Sequence, residues 1–494
     1  MDQVKFGWAE VDITPRERIG LRGEFYERVT DEVETPITVT ALAIESDGEQ
    51  AVICSCDLVC VSDGLRNQAV ELLKKKNPDG LDLSKIIISA VHTHNSYMYG
   101  NGQADPSLGI RKYMPDGCQY IPEDSDTTQM DWRRAQDYLS EKLAEVICLA
   151  WNNRRVGGYA NGFGRAAVGM PRRVCYTDGT AKMWGDVDKA YFTELEGTCD
   201  SGIELLFIYD ANRKLTGVVA NIACPAQVLE QRTIISSDYW GKVKILLREK
   251  YGEDIYLLAL CAPAGDQCPR DLIRWVEPET PIKDPNVIRE NPKERRADPS
   301  MFDIKGTWVI GRRIMNEIVY ALEDVTEIKT VAKFAHCAKI LNLPLRRVSE
   351  TDKLEAEQRI KEFFNGKTVL NYMDSAELYI YTGILDRYEE QKTQEVVSTE
   401  VHHIRFDDIA ISTSPFELFL TYGNQIRARS KAKQTFLIQL CAGDHGYLPT
   451  EEAEKHGHYS AYVSSGVTGH EGGDILVRDA VHEINRMFAD DPKI

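Results

Sequence analysis

Residues 85–100 read KIIISAVHTHNSYMYG. Three isoleucines and a valine make an apolar run the length of one buried strand, and the run ends on two histidines separated by one threonine. The pattern predicts a strand over 85–91. Side chains at i and i+2 of a strand share a face, so His92 and His94 are expected to project together from its carboxyl end. Just upstream, GLRNQAVELLKKK at 64–76 has the spacing of an amphipathic helix, and TVTALAIES at 38–46 and AVICSCDLVCV at 51–61 read as strands. This strand–helix–strand order predicts an α/β fold: mixed β-sheets flanked by helices.

The same alternation continues outward. Strands are expected at 203–209, 216–222, 255–261, 408–413 and 435–441, and helices at 132–151, 239–251, 306–323, 351–364, 416–430 and 474–488. Residues 97–130 and 275–300 are aperiodic and rich in Gly, Pro and charge, the composition of insertion loops. The sequence carries no internal repeat and no obvious linker, so one domain over 1–494 is expected.

Composition narrows the function. The chain has 494 residues, 43% of them hydrophobic, and a net charge of -18, so a large core is expected and disorder is not. Such an acidic surface repels phosphate backbones and anionic lipid, which argues against nucleic acid and membrane partners. No window is apolar enough for membrane insertion, and MDQVKFGWAEVDITP at the start lacks the pattern of a signal peptide. The twelve cysteines lack disulfide-framework spacing, which suits a reducing, cytoplasmic setting. A small-molecule substrate is the expected partner, and a homo-oligomer is left open.

Two imidazoles from one strand end supply half of a tetrahedral zinc shell. Alone, H-x-H is a weak signal, since packed structural histidines account for most such pairs. Its setting is more specific. GWAEVDITP at 7–15, DLV at 57–59 and SAVHTHNS at 89–96 are followed by RR at 172–173 with TDGT at 177–180, and then by VVANIACPAQV at 218–228. ISSDYWG at 235–241, APAGDQCPRD at 262–271, SPFELFLTYGNQIR at 414–427 and GDHGYLPTEEA at 443–453 complete the series. In this order and over nearly the whole chain, the motifs resemble those of the neutral/alkaline non-lysosomal ceramidases.

The resemblance implies a ceramidase-like catalytic domain and a Zn2+-dependent hydrolase that cleaves an amide C–N bond. It carries metal ligation onto His92, His94, Glu417 and Tyr447, with Glu417 expected to open a helix. Where the family has a third histidine before a proline, this chain has Cys224 before Pro225. A thiolate is a strong zinc donor, so Cys224 is a candidate ligand, with Gln227 and His445 as alternatives. Where the family has a reactive serine, this chain has Cys268, a candidate nucleophile; the other reading is that Cys268 only shapes the pocket while a zinc-bound water attacks.

Arg172 matches a family arginine and is a candidate for steadying the oxyanion, although Pro171 replaces the asparagine before it. Asp238 is a candidate to orient a ligand or to cap the helix that follows. His402, His403, His456, His458 and His470 lack motif support and are assigned no role. Attack by a zinc-bound water on the amide of a small soluble substrate, such as an N-acyl amine or amino sugar derivative, is the expected chemistry. The alternatives are an ester- or lactone-cleaving or carbohydrate-directed metal enzyme, and a non-catalytic ligand-binding relative.

Overall fold

The computed structural model describes residues 2–100, 110–121, 126, 128–276, 296–297, 303–371 and 374–489. Much of the two expected insertion loops, 97–130 and 275–300, therefore lies outside the described residues.

Eight strands build the larger sheet: β1 (Lys5–Asp12), β2 (Thr38–Ser46), β3 (Glu49–Cys56), β4 (Ile86–Ala90), β5 (Arg155–Arg165), β6 (Gly202–Asp210), β7 (Leu215–Ile222) and β8 (Tyr256–Cys261). Their order is β8-β7-β6-β5-β1-β2-β3-β4. A smaller sheet runs β9 (Phe334–Pro344), β10 (Val396–Phe406), β11 (Ile409–Thr413) and β12 (Gln434–Ile438) in sequence order.

The two sheets face each other. Along β4, Ile87 points to the smaller sheet while Ile86 and Ile88 point to the helices behind. On β8, Leu258 and Leu260 go inward while Leu257 and Ala259 go outward. Ile409, Ile411, Phe436 and Ile438 close the shared core from the other side. Helices α1 (Asp63–Lys76) and α2 (Trp132–Asn152) cover one half of the larger sheet, and α3 (Asp238–Tyr251) and α4 (Asp303–Glu323) cover the other. Two further helices, α5 (Glu350–Phe364) and α6 (Ser375–Glu390), form a hairpin, and α7 (Leu420–Arg429) and α8 (His470–Met487) cover the outer face of the smaller sheet. The result is a four-layer α/β/β/α stack. Burial on both faces explains why these strands read as continuous apolar runs rather than alternating ones.

One unit occurs three times. An antiparallel strand pair is followed by a helix and then by a strand parallel to the second of the pair: β2–β3–α1–β4, β6–β7–α3–β8 and β10–β11–α7–β12. The sequence shows no repeat because any apolar residue that fills a layer satisfies the unit. Backbone bonds join the carboxyl ends of these strands: Ala90 N donates to Leu440 O, Ala262 N to Ile222 O, and Gln439 N to Cys261 O. In α/β sheets, ligands bind outside the carboxyl ends of parallel strands, and here three such ends converge.

The expected elements are found within a few residues, with three corrections. β4 ends at Ala90, so His92 and His94 lie beyond the strand, and His92 has φ +69°, which breaks the period-two argument for their direction. The helix expected over 416–430 starts only at Leu420. Residues Glu417–Leu418 instead form a short parallel pair with Tyr447–Leu448, so Glu417 does not open the helix. His402 and His403 lie within β10, a strand the pattern reading passed over.

Candidate metal centre

The loops at the converging strand ends line a cleft of about 400 Å³. His92 and His94 enter it from the loop after β4, Glu417 from the loop after β11, and Tyr447 from the loop after β12. Glu24 comes from the loop over residues 22–28, and α6 supplies Tyr379, Thr382 and Asp386 from the opposite side.

His92 is fixed at one ring nitrogen. Nδ1 lies 2.6 Å from the Val59 carbonyl oxygen and must donate to it, because a carbonyl only accepts. In that tautomer Nε2 carries the lone pair, and it faces Glu417 Oε2 at 3.3 Å. Two donors bound to one tetrahedral zinc at about 2.0–2.1 Å lie roughly 3.3 Å apart. The His92–Glu417 pair is therefore spaced as one edge of such a shell, and a backbone carbonyl on the far nitrogen is the usual support of a ligating histidine. Burial alone would lower the His92 pKa, but the Glu417 carboxylate and the Val59 carbonyl outweigh it and raise it.

The backbone pairing of Glu417 with Tyr447 places the two residues side by side at the cleft. Tyr447 Oη lies 3.0 Å from Tyr459 Oη and receives a 3.2 Å bond from Arg172 Nη2. Arg172 is 3% exposed and anchored by donating to the Gly265 carbonyl at 2.8 Å, with Nη2 4.0 Å from Glu417 Oε2. This buried guanidinium stands behind Tyr447 and Glu417, which line the cleft.

His94 stands beside His92, the rings 4.8 Å apart and nearly perpendicular. Its Nδ1 lies 3.6 Å from Glu230 Oε2, yet among the described residues neither ring nitrogen has a hydrogen-bond partner although the residue is only 8% exposed. Burial holds its pKa well below the usual histidine range, and His92, Arg28, Arg172 and Arg270 push the same way. Glu230 is itself held: Arg270 donates to Oε1 at 2.8 Å and Gln227 Nε2 to Oε2 at 2.6 Å. Glu24, His94 and Glu230 offer donor atoms that all lie within 4.8 Å of one another, and all three residues are buried. Neither glutamate belongs to a motif, so the sequence reading passed over both; the one signal was an acid directly after the apolar Val228 and Leu229.

The other sequence candidates sit farther back. Cys224 Sγ faces the carbonyl of Pro225 at 3.5 Å within the apolar cluster behind β7, and burial pushes its thiol well above the usual range. Cys268 packs with Val174, Met183 and Trp184, its Sγ donating to the Arg270 carbonyl at 3.3 Å; burial pushes its thiol up to about 12. Neither cysteine is among the cleft-lining residues. Gln227 spends its amide on Arg172 and Glu230, and His445 faces Asp63 and Thr399. Asp238, the first residue of α3, accepts from the Leu229 and Tyr239 amides. It fixes the turn that presents Glu230, and burial raises its carboxyl to about 7.

The donors that meet in the cleft, imidazole nitrogen with carboxylate and phenol oxygens, suit a borderline divalent cation. His92, Glu417 and Tyr447 are the residues there that could hold such a cation.

No protein-family model and no curated protein sequence matches the chain. Its architecture is similar to the solved neutral ceramidase from Pseudomonas aeruginosa, with a TM-score of 0.66 at 15% identity over 99% of this chain and 75% of that one. It is similar to the same degree, TM-score 0.66, to a ceramidase complexed with C2, at 13% identity over 100% of this chain and 76% of that one. On layer order, strand-end cleft and these comparisons together, the chain has a neutral ceramidase-like fold.

Proposed function

We propose that the protein is a zinc-dependent hydrolase that cleaves an amide C–N bond of a small, polar, soluble substrate. The observation that carries this reading is the 3.3 Å approach of His92 Nε2 to Glu417 Oε2, with the far side of the imidazole fixed on the Val59 carbonyl. His92, Glu417 and Tyr447 would hold the ion. Bound there, zinc acts as a Lewis acid toward the scissile carbonyl and lowers the pKa of water for attack.

The chain's own groups supply the rest. Arg172 is buried and anchored on Gly265, so its guanidinium is preorganised to stabilise negative charge developing on a substrate oxygen beside Tyr447. The Tyr447–Tyr459 hydroxyl pair offers a donor and an acceptor at the same place. Cys268, held as a thiol by burial and away from the cleft lining, shapes the wall behind this region rather than attacking.

The cleft wall supports a polar substrate over a lipid. Phe25 stacks on Tyr379 with ring centroids 4.4 Å apart, and Tyr459 meets Phe25 edge-on at 5.2 Å. Asp386, Asp444 and Thr382 interrupt this aromatic surface. Flat aromatic faces beside carboxylates suit a ring bearing hydroxyls, which favours an N-acyl amino sugar within the amide class. Zinc-loaded enzyme assayed against N-acyl amino sugars, simple N-acyl amines, esters and lactones tests the reading. Turnover of amides is expected; turnover of esters or lactones alone would replace it with the alternative hydrolase, and no turnover of any class by zinc-loaded protein would remove it.

A further inference from the structure

Three loops distant in sequence bring Glu24, His94 and Glu230 together, and one side chain ties them. Arg28, 1% exposed, donates from Nη2 to the carbonyls of Arg22 (3.3 Å) and His94 (2.6 Å). From Nη1 it donates to those of Glu230 (2.8 Å) and Arg232 (3.0 Å). Gly23 lets the first loop close over the imidazole. A Cβ there would meet His94 Cγ at 2.5 Å, and its φ of +124° is one that side-chain-bearing residues rarely adopt. The sequence thus gives up a side chain at this point to seat Glu24 against His94.

A buried imidazole without a hydrogen-bond partner on either nitrogen costs free energy unless something else satisfies it. The donor atoms of two buried carboxylates and this imidazole all lie within 4.8 Å of one another, a span that one ion closes by small side-chain rotations. Arg270 and Gln227 fix Glu230 from behind, as the outer partners of a ligating carboxylate do. His92 does not share this position, because its Nε2 is directed at Glu417 and its ring stands at 79° to that of His94.

We propose that Glu24, His94 and Glu230 form a second divalent-cation site beside the His92–Glu417–Tyr447 position, making the cleft a two-cation centre. The inference rests on the reading of the cleft as a metal centre. Two carboxylates with one imidazole select a borderline ion, Zn2+ or Mn2+, over a thiolate-preferring one. Glu24, His94 and Glu230 would hold a second Lewis acid in the same centre, the chemistry that two-metal hydrolases use.

The test is metal stoichiometry on the full-length protein, which needs no substrate. Chelator-stripped protein is titrated with Zn2+ and with Mn2+ by calorimetry, and bound metal is counted by elemental analysis after gel filtration. Wild type is expected to take two equivalents. Glu230→Gln and Glu24→Gln should each weaken one equivalent more than tenfold and leave the other, while Glu417→Gln should weaken the other and leave this one. Circular dichroism confirms folding, and the near-isosteric glutamine variants keep the test usable where His94→Asn fails to fold. One equivalent in wild type, insensitive to Glu24 and Glu230, overturns the second site and leaves the zinc reading standing. One equivalent weakened by all three variants overturns it in favour of a single shared centre. No bound metal overturns both.

Discussion

His92 Nε2 and Glu417 Oε2 meet at 3.3 Å across the junction of the two sheets, one from the loop after β4 and the other from the loop after β11. The contact depends on both sheets being in place, because Ser89 and Cys441 bridge the strand ends behind it. On the proposed reading, replacing His92 by Ala removes a ligand, and replacing Glu417 by Gln leaves only a neutral, weaker oxygen donor. The loss of zinc affinity should exceed the roughly 10- to 100-fold that follows loss of a ligand's hydrogen-bond partner. Competition against a chromogenic chelator measures it, and unchanged affinity in both variants would place the ion elsewhere.

Cys268 gives a prediction of opposite sign. A thiol pushed up to about 12 and packed among Val174, Met183 and Trp184 is neither ionised nor reachable at neutral pH. Native protein at pH 8 should leave Cys268 unmodified by iodoacetamide, as read by peptide mass spectrometry, while exposed Cys199 is alkylated. Cys268→Ser should keep hydrolytic turnover within a few-fold and lower stability by about 1–3 kcal/mol, the cost of a hydroxyl in an apolar cluster. Rapid alkylation together with a collapse in turnover would restore the thiol as nucleophile.

These two cases mark what the sequence could convey. That His92, Glu417 and Tyr447 come to one cleft was legible because each sits in a short sequence motif. Cys224 and Cys268 were placed by the same motif logic, but which way a side chain turns after a strand end depends on packing, and both pack behind the cleft. Glu24 and Glu230 were illegible because their meeting depends on Arg28 binding four carbonyls from three loops. Strand β5 was missed for a local reason: RVGGYANGFGR contains four glycines, which lower strand propensity, and its pairing with β6 supplies what the residues do not. The layer order was half visible. Continuous apolar strands announced sheets covered on both faces, but not that the second cover is another sheet.

His458 should make stability depend on pH. Its Nδ1 accepts from the Met183 amide at 3.1 Å, which requires the neutral ring. Burial, with Arg173 and Lys182 adding to it, lowers its pKa to about 4. An unfolded chain takes up that proton near pH 6.5 and the folded one only near pH 4, so between these values the unfolded state binds more protons. Stability contributed by the neutral ring is complete above about pH 6.5 and is lost as pH falls toward 4. His458→Asn keeps an acceptor for the Met183 amide and suits the local φ of +72°. It should flatten urea-unfolding stability between pH 6.5 and 4 relative to wild type, and an equally steep slope in the variant would assign the acid sensitivity to other groups.

Gly23 is the cheapest probe of whether the first loop shapes the cleft. Alanine there puts Cβ 2.5 Å from His94 Cγ and 2.7 Å from His94 Cβ, distances that force the ring or the loop to move. The φ of +124° adds backbone strain, so Gly23→Ala should cost about 1–3 kcal/mol of unfolding free energy. A clash that is merely structural would lower stability alone. If the loop exists to seat Glu24 against His94, the variant should also weaken one metal equivalent, whereas Gly48→Ala, equally left-handed at φ +80° but with no atom within 4 Å of the added Cβ, should lower stability without touching metal binding. The comparison separates backbone strain, common to both variants, from displacement of the His94 imidazole, which only the first can cause. Equal metal binding in the two variants would show that His94 tolerates the shift and that this loop contributes fold rather than function.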